Sequence, residues 1–307
     1  IAMSPGRDGF TPQLALSYDS GGGNSPFGLG WNIGLPNITR KTSKGLPKYI
    51  DSLKGAGDVS DTFILSGAED LVPFLVDNNG ELTIKQEETD EYIITHYRPR
   101  IEGLFAKIER YTIKESGVSA WKITSKDNVT SYYGFSDNSR VFDPKNEKKT
   151  FSWLLTKTED SKGNIIEYEY AKENIENLTK SLHEKNRLKN QNAFAKKYLK
   201  TVRYGNSNEE NGETRWHYHL VFDYGEHDIN NDPFSKTKLW TRRQDPFSTY
   251  SAGFEIRTYR LCKNILMFHD FDELGLEPVL VKSTTLNYNE NPIATQLKSV
   301  VHTAYDY

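Results

Sequence analysis

Trp121-Lys122-Ile123-Thr124-Ser125-Lys126-Asp127-Asn128-Val129-Thr130-Ser131-Tyr132-Tyr133 holds two short runs rich in β-branched and aromatic residues, Trp121 to Thr124 and Val129 to Tyr133, on either side of Lys126-Asp127-Asn128. Such runs favour a pleated, half-buried backbone, and an Asp-Asn connector tolerates the positive φ that a tight antiparallel reversal requires. The same unit recurs in both directions. Upstream are Phe63 to Leu65, Leu71 to Val76, Tyr92 to Tyr97 and Phe105 to Lys114, with Asp77-Asn78-Asn79-Gly80 and Glu115-Ser116-Gly117 as hairpin-like connectors. Downstream are Trp153 to Thr158, Ile165 to Tyr170, Leu199 to Tyr204, Trp216 to Tyr224, Phe254 to Phe268, Val279 to Tyr288 and Leu297 to Thr303. Regular helices do not separate these runs, which argues against a parallel α/β fold. The expectation is a mainly β protein of antiparallel, meandering sheets.

The first 50 residues are dense in turn formers, among them Ser20-Gly21-Gly22-Gly23-Asn24, Pro26, Gly28 and Gly30, with Leu14, Leu16 and Tyr18 alternating between them in the period of a half-buried strand. One stretch departs from the pattern. From Ala171 to Lys197 the chain turns polar, with Ile175, Leu178 and Leu182 at helical spacing and Lys180, Lys185, Arg187, Lys189, Lys196 and Lys197 making it basic. It reads as a solvated helical insertion, the alternative being a surface for an acidic partner.

A chain of 307 residues is long enough to bury about three quarters of its unfolded surface in one large domain or two ordinary ones. Mean hydropathy of -0.70 points to thin layers with much wetted surface. The formal net charge of -3 supplies no global field that would attract nucleic acid or an anionic membrane. The single cysteine, Cys262, excludes an intrachain disulfide, so stability does not depend on an oxidising compartment and synthesis in a cytosol is the simplest reading. No run of about 18 apolar residues is present to form a transmembrane helix. The opening residue, Ile1, leads us to expect a fragment of a longer chain.

Candidate chemistry is sparse. Gly21 to Gly30 could cradle a phosphate, but Pro26 removes a donor and no Gly-Lys-Ser/Thr ending follows, so turns are expected. His217 and His219 lie two apart on a strand and therefore share a face, as zinc or copper ligands can; His227, Asp223 and Glu226 nearby have no recognisable ligand spacing. A row of half-buried polar aromatics is the simpler reading, with Trp216, Tyr218 and Leu220 on the other face. A total of 42 Asp and Glu offers so many carboxylate pairs that a glycosidase-like pair carries no information. Cys262 beside Lys263 reads as an inert buried thiol, His269 does not make it a Cys/His dyad, and Ser248 and Ser251 lie outside any Gly-x-Ser-x-Gly elbow. Only Leu182 to Lys197 is locally basic, and it holds a single aromatic, Phe194, too few for a nucleic-acid stacking platform. No catalytic, cofactor-binding or metal-binding residue is assigned.

A weak recurrence links Asp160-Ser161-Lys162-Gly163-Asn164 and Ile165 to Tyr170 with Tyr198 to Asn206, a turn and strands ending in Tyr that resemble Rhs, or YD, repeats. More specific are two long strings. Ser4-Pro5-Gly6-Arg7-Asp8-Gly9-Phe10-Thr11-Pro12-Gln13-Leu14, Gly23-Asn24, Pro26-Phe27-Gly28-Leu29-Gly30-Trp31, Ile38-Thr39-Arg40-Lys41-Thr42, Gly45-Leu46-Pro47-Lys48-Tyr49 and Leu65-Ser66-Gly67-Ala68-Glu69-Asp70-Leu71-Val72-Pro73 form the first. Arg243-Gln244-Asp245-Pro246-Phe247-Ser248-Thr249-Tyr250, Gly253-Phe254-Glu255-Ile256-Arg257-Thr258-Tyr259-Arg260-Leu261-Cys262 and Leu266-Met267-Phe268-His269 form the second. Together they resemble the SpvB domain family, shared by a Salmonella virulence-plasmid protein and the B components of bacterial insecticidal Tc toxins.

That resemblance implies one SpvB-like toxin domain over residues 1–307, with the polar insertion of residues 171–197 inside it. It implies a non-catalytic, β-rich segment of an Rhs-like ribbon shell that encapsulates and helps deliver a cytotoxic segment. The implied partners are the downstream propeller and Rhs regions of the same chain, the toxin C subunit and, indirectly, the pore-forming A subunit. Nucleic acid, direct membrane insertion and cofactors are not implied. The implied location is extracellular, within a released toxin complex. The alternative is a secretion or docking module that precedes an ADP-ribosyltransferase domain, with the enzyme outside this region in either case.

Overall fold

The computed structural model describes residues 1–51, 61–66, 70–190, 193–208 and 212–306. Two parts of the sequence reading, Gly67-Ala68-Glu69 of the family-like string and Gln191-Asn192 of the insertion, lie outside the described residues. Two compact units are present: Leu35–Gly163 with Thr249–Ile256, and Ile1–Gly34 with Asn164–Ser248 and Arg257–Tyr307.

The alternating runs of the first unit become β1 (Asn37–Arg40), β2 (Phe63–Leu65), β3 (Asp70–Pro73), β4 (Tyr92–Pro99), β5 (Lys107–Ile113), β6 (Ser119–Thr124), β7 (Thr130–Tyr133) and β8 (Asn146–Glu159). Each pairs antiparallel with the next, and β8 pairs with both β7 and β1, so the eight strands close an up-and-down barrel. Closure removes the open edges that a flat meander would leave. The connectors behave as turn chemistry requires: Asn79 and Gly80 take φ of 56° and 89° between two short strands, and Asn128 takes 58° between β6 and β7. An eight-stranded barrel is just wide enough for side chains to fill it. Here Phe63, Tyr97, Trp121 and Trp153 do so, with ring centroids 4.9–6.0 Å apart in tilted and edge-on pairs. The β7–β8 seam carries a register shift between Tyr132 and Tyr133, followed by Gly134 at φ 75°. A Cβ there would lie 2.3 Å from Trp153 Cδ1, so only glycine fits.

In the second unit β9 (Ile165–Lys172), β10 (Lys197–Asn208), β11 (Thr214–Asp223), β12 (Asn264–His269), β13 (Val279–Asn289) and β14 (Gln296–Ala304) pair in sequence order, all antiparallel. The Tyr-ending recurrence is thus one pair of adjacent strands, β9 and β10. One face of the sheet packs Val221, Leu266, Phe268 and Leu280 with Ile229, Phe234 and Tyr305. The glycine-rich start of the chain is tied to this unit by Tyr204 OH donating to Ser4 O at 2.6 Å, Cys262 N–H to Pro26 O at 2.8 Å and Leu29 N–H to Thr295 O at 2.8 Å.

Two expectations are corrected in extent. Among its described residues the 171–197 insertion is helical only at a 3-10 turn, Leu182–Glu184, and the four-residue α1, Lys185–Leu188; Ala171 and Lys172 end β9 and Lys197 begins β10. Its apolar trio never forms a helical stripe, and Leu182 is 87% exposed. The Phe254–Phe268 run is broken, with strand only at Ile256–Thr258 and β12. Its centre cannot pair because its backbone donors are taken elsewhere: Tyr259 N–H by the Glu173 carboxylate at 2.9 Å, Cys262 N–H by Pro26 and Lys263 N–H by Asp223 O at 2.8 Å.

Candidate functional site

The polar candidates resolve into structural pins. In the Gly21–Gly30 loop the amides are taken up by the protein itself: Gly21 N–H by Asp19 Oδ1 at 2.9 Å, Gly30 N–H by Gly23 O at 2.7 Å, Phe27 N–H by Ser25 Oγ at 2.9 Å and Leu29 N–H by Thr295 O at 2.8 Å. None of these points at an anion. His217 stacks on Phe271 at 4.8 Å, with Nδ1 3.0 Å from Asp270 O and Nε2 3.1 Å from Ser207 Oγ. His219 lies edge-on to Phe234, its Nε2 3.1 Å from Trp216 O and 3.6 Å from Asp270 Oδ2. Both rings meet Asp270, yet among the described residues no group of three His, Cys, Asp or Glu is placed to hold a metal. Opposite them Tyr218 stacks on Tyr204 at 4.9 Å, and Leu220 is fully buried.

His227 belongs to a different cluster, where Lys200 Nζ lies 3.2 Å from its Nε2, donates to Phe222 O at 2.6 Å and pairs with Glu226. Burial foremost, then the Lys200 charge, lowers the His227 pKa, and burial also lowers those of His219 and His269. Cys262 is buried, and desolvation with the nearby Asp223 charge pushes its thiol well above the ordinary value. His269 accepts or donates to Ser4 Oγ at 2.7 Å, which leaves it outside any dyad with Cys262. Ser248 Oγ accepts from Arg257 at 3.3 Å.

Sequence reasoning missed the buried ionic pins because their partners are remote in the chain. Arg260 and Glu173, 87 residues apart, are both fully buried and meet at 2.7 Å. Glu173 also accepts from the Tyr198 hydroxyl, and Arg260 donates to Asn174 O and Oδ1 at 2.9 Å each and lies 5.4 Å over the Trp240 ring. Glu184, likewise fully buried, receives Arg257 at 2.9 Å, Arg187 at 3.0 Å and the Tyr259 hydroxyl. The insertion is therefore held by its acids, while Lys180, Lys185 and Lys189 face solvent. Asp245 gathers Arg243, Asn24 Nδ2 and Thr295 N–H at 2.7–2.8 Å; burial opposes its ionisation, but these donors hold its pKa at about 2. In the barrel, Arg40 donates to Asp51 at 2.6 and 2.8 Å, Asp61 at 2.9 Å and Thr150 O at 2.7 Å, and Arg110 reaches Asp51 at 2.5 Å. Burial would raise the Asp51 carboxyl, yet Arg110 and Arg40 hold it at about 2.

The features with free valence are on the surface. Strand β14 bonds only to β13 along Gln296–Ala304 among the described residues, and nearly all of it is exposed, including Val300 and Val301. No helix among them is long and apolar enough to cross a membrane.

Comparison with known proteins fits this picture. The family model described as Salmonella virulence plasmid 65kDa B protein matches residues 1–271. The chain is 36% identical over 315 residues to the mono(ADP-ribosyl)transferase SpvB of Salmonella typhimurium, covering 97% of this chain and 52% of that protein, and equally similar to its counterpart in Salmonella dublin, covering 51% of it. It thus spans about half the length of these relatives. The solved N-terminal domain of effector protein SpvB from Salmonella typhimurium superposes with a TM-score of 0.83 at 35% identity, over 97% of this chain and 96% of that one. The crystal structure of TcdB2-TccC3 matches with a TM-score of 0.82 at 34% identity, over 98% of this chain and 15% of that one. The Photorhabdus luminescens Tc holotoxin pore matches with a TM-score of 0.80 at 34% identity, over 96% and 14%. The stretch matched is the N-terminal, non-catalytic part of SpvB, and the transferase lies in the C-terminal domain, outside the coverage of this chain. This mainly β chain, with its closed barrel and pinned antiparallel sheet, is a toxin module that belongs to the SpvB family of Salmonella virulence plasmid 65kDa B proteins.

Proposed function

We propose that the chain is a non-catalytic structural module of a toxin B subunit, forming part of a β-rich shell that encapsulates a cytotoxic segment and helps deliver it. The observation that carries this reading is β14, an open strand of nine residues with Val300 and Val301 exposed. A long, partly apolar edge left in water pairs with other chains and aggregates, so natural proteins cover it. The next portion of a ribbon-like wall is such a cover. The share of the TcdB2-TccC3 chain matched here, 15%, leaves ample sequence for that wall. In this reading residues 1–307 act as one SpvB-like domain, Rhs-type repeats and a propeller follow, and the C subunit and indirectly the pore-forming A subunit are partners. The released complex is extracellular.

A second reading is supported by coverage of 96% of the separately solved SpvB N-terminal domain. In it the module is a secretion or docking domain ahead of an ADP-ribosyltransferase. Amide hydrogen exchange distinguishes the two. The shell reading expects fast exchange along 296–304 in this chain alone and strong protection in the longer natural chain. Equal, fast exchange in both contexts counts against it.

A further inference from the structure

The 171–197 segment carries a surface that the shell reading does not use. Between β9 and β10, Ile175, Leu178, Leu182 and Leu188 line a groove of about 570 Å3, with Lys180 and Lys185 among its walls. Leu182 is 87% exposed although the segment lies against a unit with a full core. The groove is preformed: Glu184 is fixed by Arg187, Arg257 and Tyr259, Asn177 Nδ2 donates to Trp240 O at 2.8 Å, and Arg242 Nη1 donates to Thr179 Oγ1 at 2.8 Å.

These bonds also set its charge. All three acids of the segment turn inward, Glu173 to Arg260, Glu184 to its two arginines and Glu176 to Trp240 N–H at 3.2 Å. Lys180 and Lys185 stay exposed, and no ion pair among the described residues neutralises either. An apolar floor between uncompensated cations matches one kind of ligand, a segment with apolar residues on one face and carboxylates beside them. A membrane fits less well, because two lysines add only about 1 kcal/mol each at an anionic surface.

We propose that this groove docks an acidic amphipathic segment of a partner protein, whose leucine-like side chains enter between Leu178, Leu182 and Leu188 while its carboxylates meet Lys180 and Lys185. The proposal stands apart from the shell reading, since it concerns a different surface from β14.

The probe is a fluorescent synthetic helix of about 18 residues with Leu at i, i+3, i+4 and i+7 and Glu on its flanks, titrated with the 307-residue chain and followed by anisotropy. Saturable binding is expected, weakened about tenfold by the double substitution Lys180→Glu with Lys185→Glu and by added salt. Leu182→Asp should abolish it. Leu182→Ala, harmless to folding at so exposed a position, should weaken it, with circular dichroism confirming that each variant is folded. The proposal is overturned if the Glu helix fails to bind, if a Lys-for-Glu helix binds as well, if the variants bind unchanged, or if the chain binds phosphatidylserine vesicles while ignoring the helix.

Discussion

Replacing Arg260 by Met keeps much of the side chain's volume and removes its charge and all its donors. Among the described residues Glu173, fully buried, would then keep the Tyr198 hydroxyl, Tyr259 N–H at 2.9 Å and Asn174 N–H at 3.0 Å as neutral donors, with the buried Lys196 as its remaining nearby positive charge. Asn174 O and Trp240 O would lose Arg260 as a donor. Breaking a buried, hydrogen-bonded pair from one side costs about 3–5 kcal/mol, because the remaining charge stays desolvated without compensation. Against a typical total of about 5–15 kcal/mol this is a large loss, and about 10 °C in melting temperature should go with it. Urea unfolding followed by circular dichroism measures it. Removing Glu173 as well, in R260M/E173M, should restore a substantial part, since two apolar groups leave no orphaned charge. Because Glu173 borders the 174–196 segment, R260M should also speed tryptic cutting after the exposed Lys180, Lys185 and Lys189. A loss under about 1 kcal/mol, or a double variant whose loss is the sum of the singles, refutes the claim that this ion pair pins the segment.

Gly134→Ala should destabilise the barrel by about 2–5 kcal/mol, from positive φ and the clash with Trp153, whereas Gly80→Ala, also at positive φ but in open space, should cost about 1–2 kcal/mol; thermal melts of the two compare them directly. His219, His227 and His269 all have folded pKa values below the ordinary value near 6.5. Lowered folded values mean that their contribution is complete above about pH 6.5 and is lost as pH falls through the folded values, so the urea midpoint should drop between pH 7.5 and pH 5.5. His227 should dominate, because its proton would arrive beside the buried Lys200 charge, which Glu226, Asp223 and Asp232 only partly offset; His227→Gln should flatten the profile, and an unchanged slope sinks the assignment. Cys262 should resist a thiol reagent in the folded chain and react at once in denaturant, since burial and Asp223 hold it protonated.

The mainly β, antiparallel character was legible because the barrel strands carry their own signals: β-branched and aromatic alternation in Tyr92 to Tyr97 and Trp121 to Thr124, and turn chemistry at Asn79-Gly80 and Asn128. Closure of the barrel was not. It depends on β8 pairing at once with β7 and with β1, a contact across more than 100 residues that leaves no local trace. The helix of the insertion is shorter than the spacing of Ile175, Leu178 and Leu182 suggested, because the tertiary bonds of Glu173 and Glu184 to Arg260 and Arg257 override that preference over most of the segment. Its lysines caught the eye in the sequence, yet its glutamates fix its shape. The same remoteness hid the Arg40–Asp51–Arg110 cluster inside the barrel.

The shell assignment is tested most directly by mixing the purified chain with the repeat-bearing downstream half of a B subunit, or with a C subunit, and measuring the mass by size exclusion with light scattering. Co-elution at fixed stoichiometry, lost when Val300 and Val301 are both changed to Lys, is the predicted result. A well-folded monomer that ignores both partners contradicts the shell role and leaves the docking-module reading in its place.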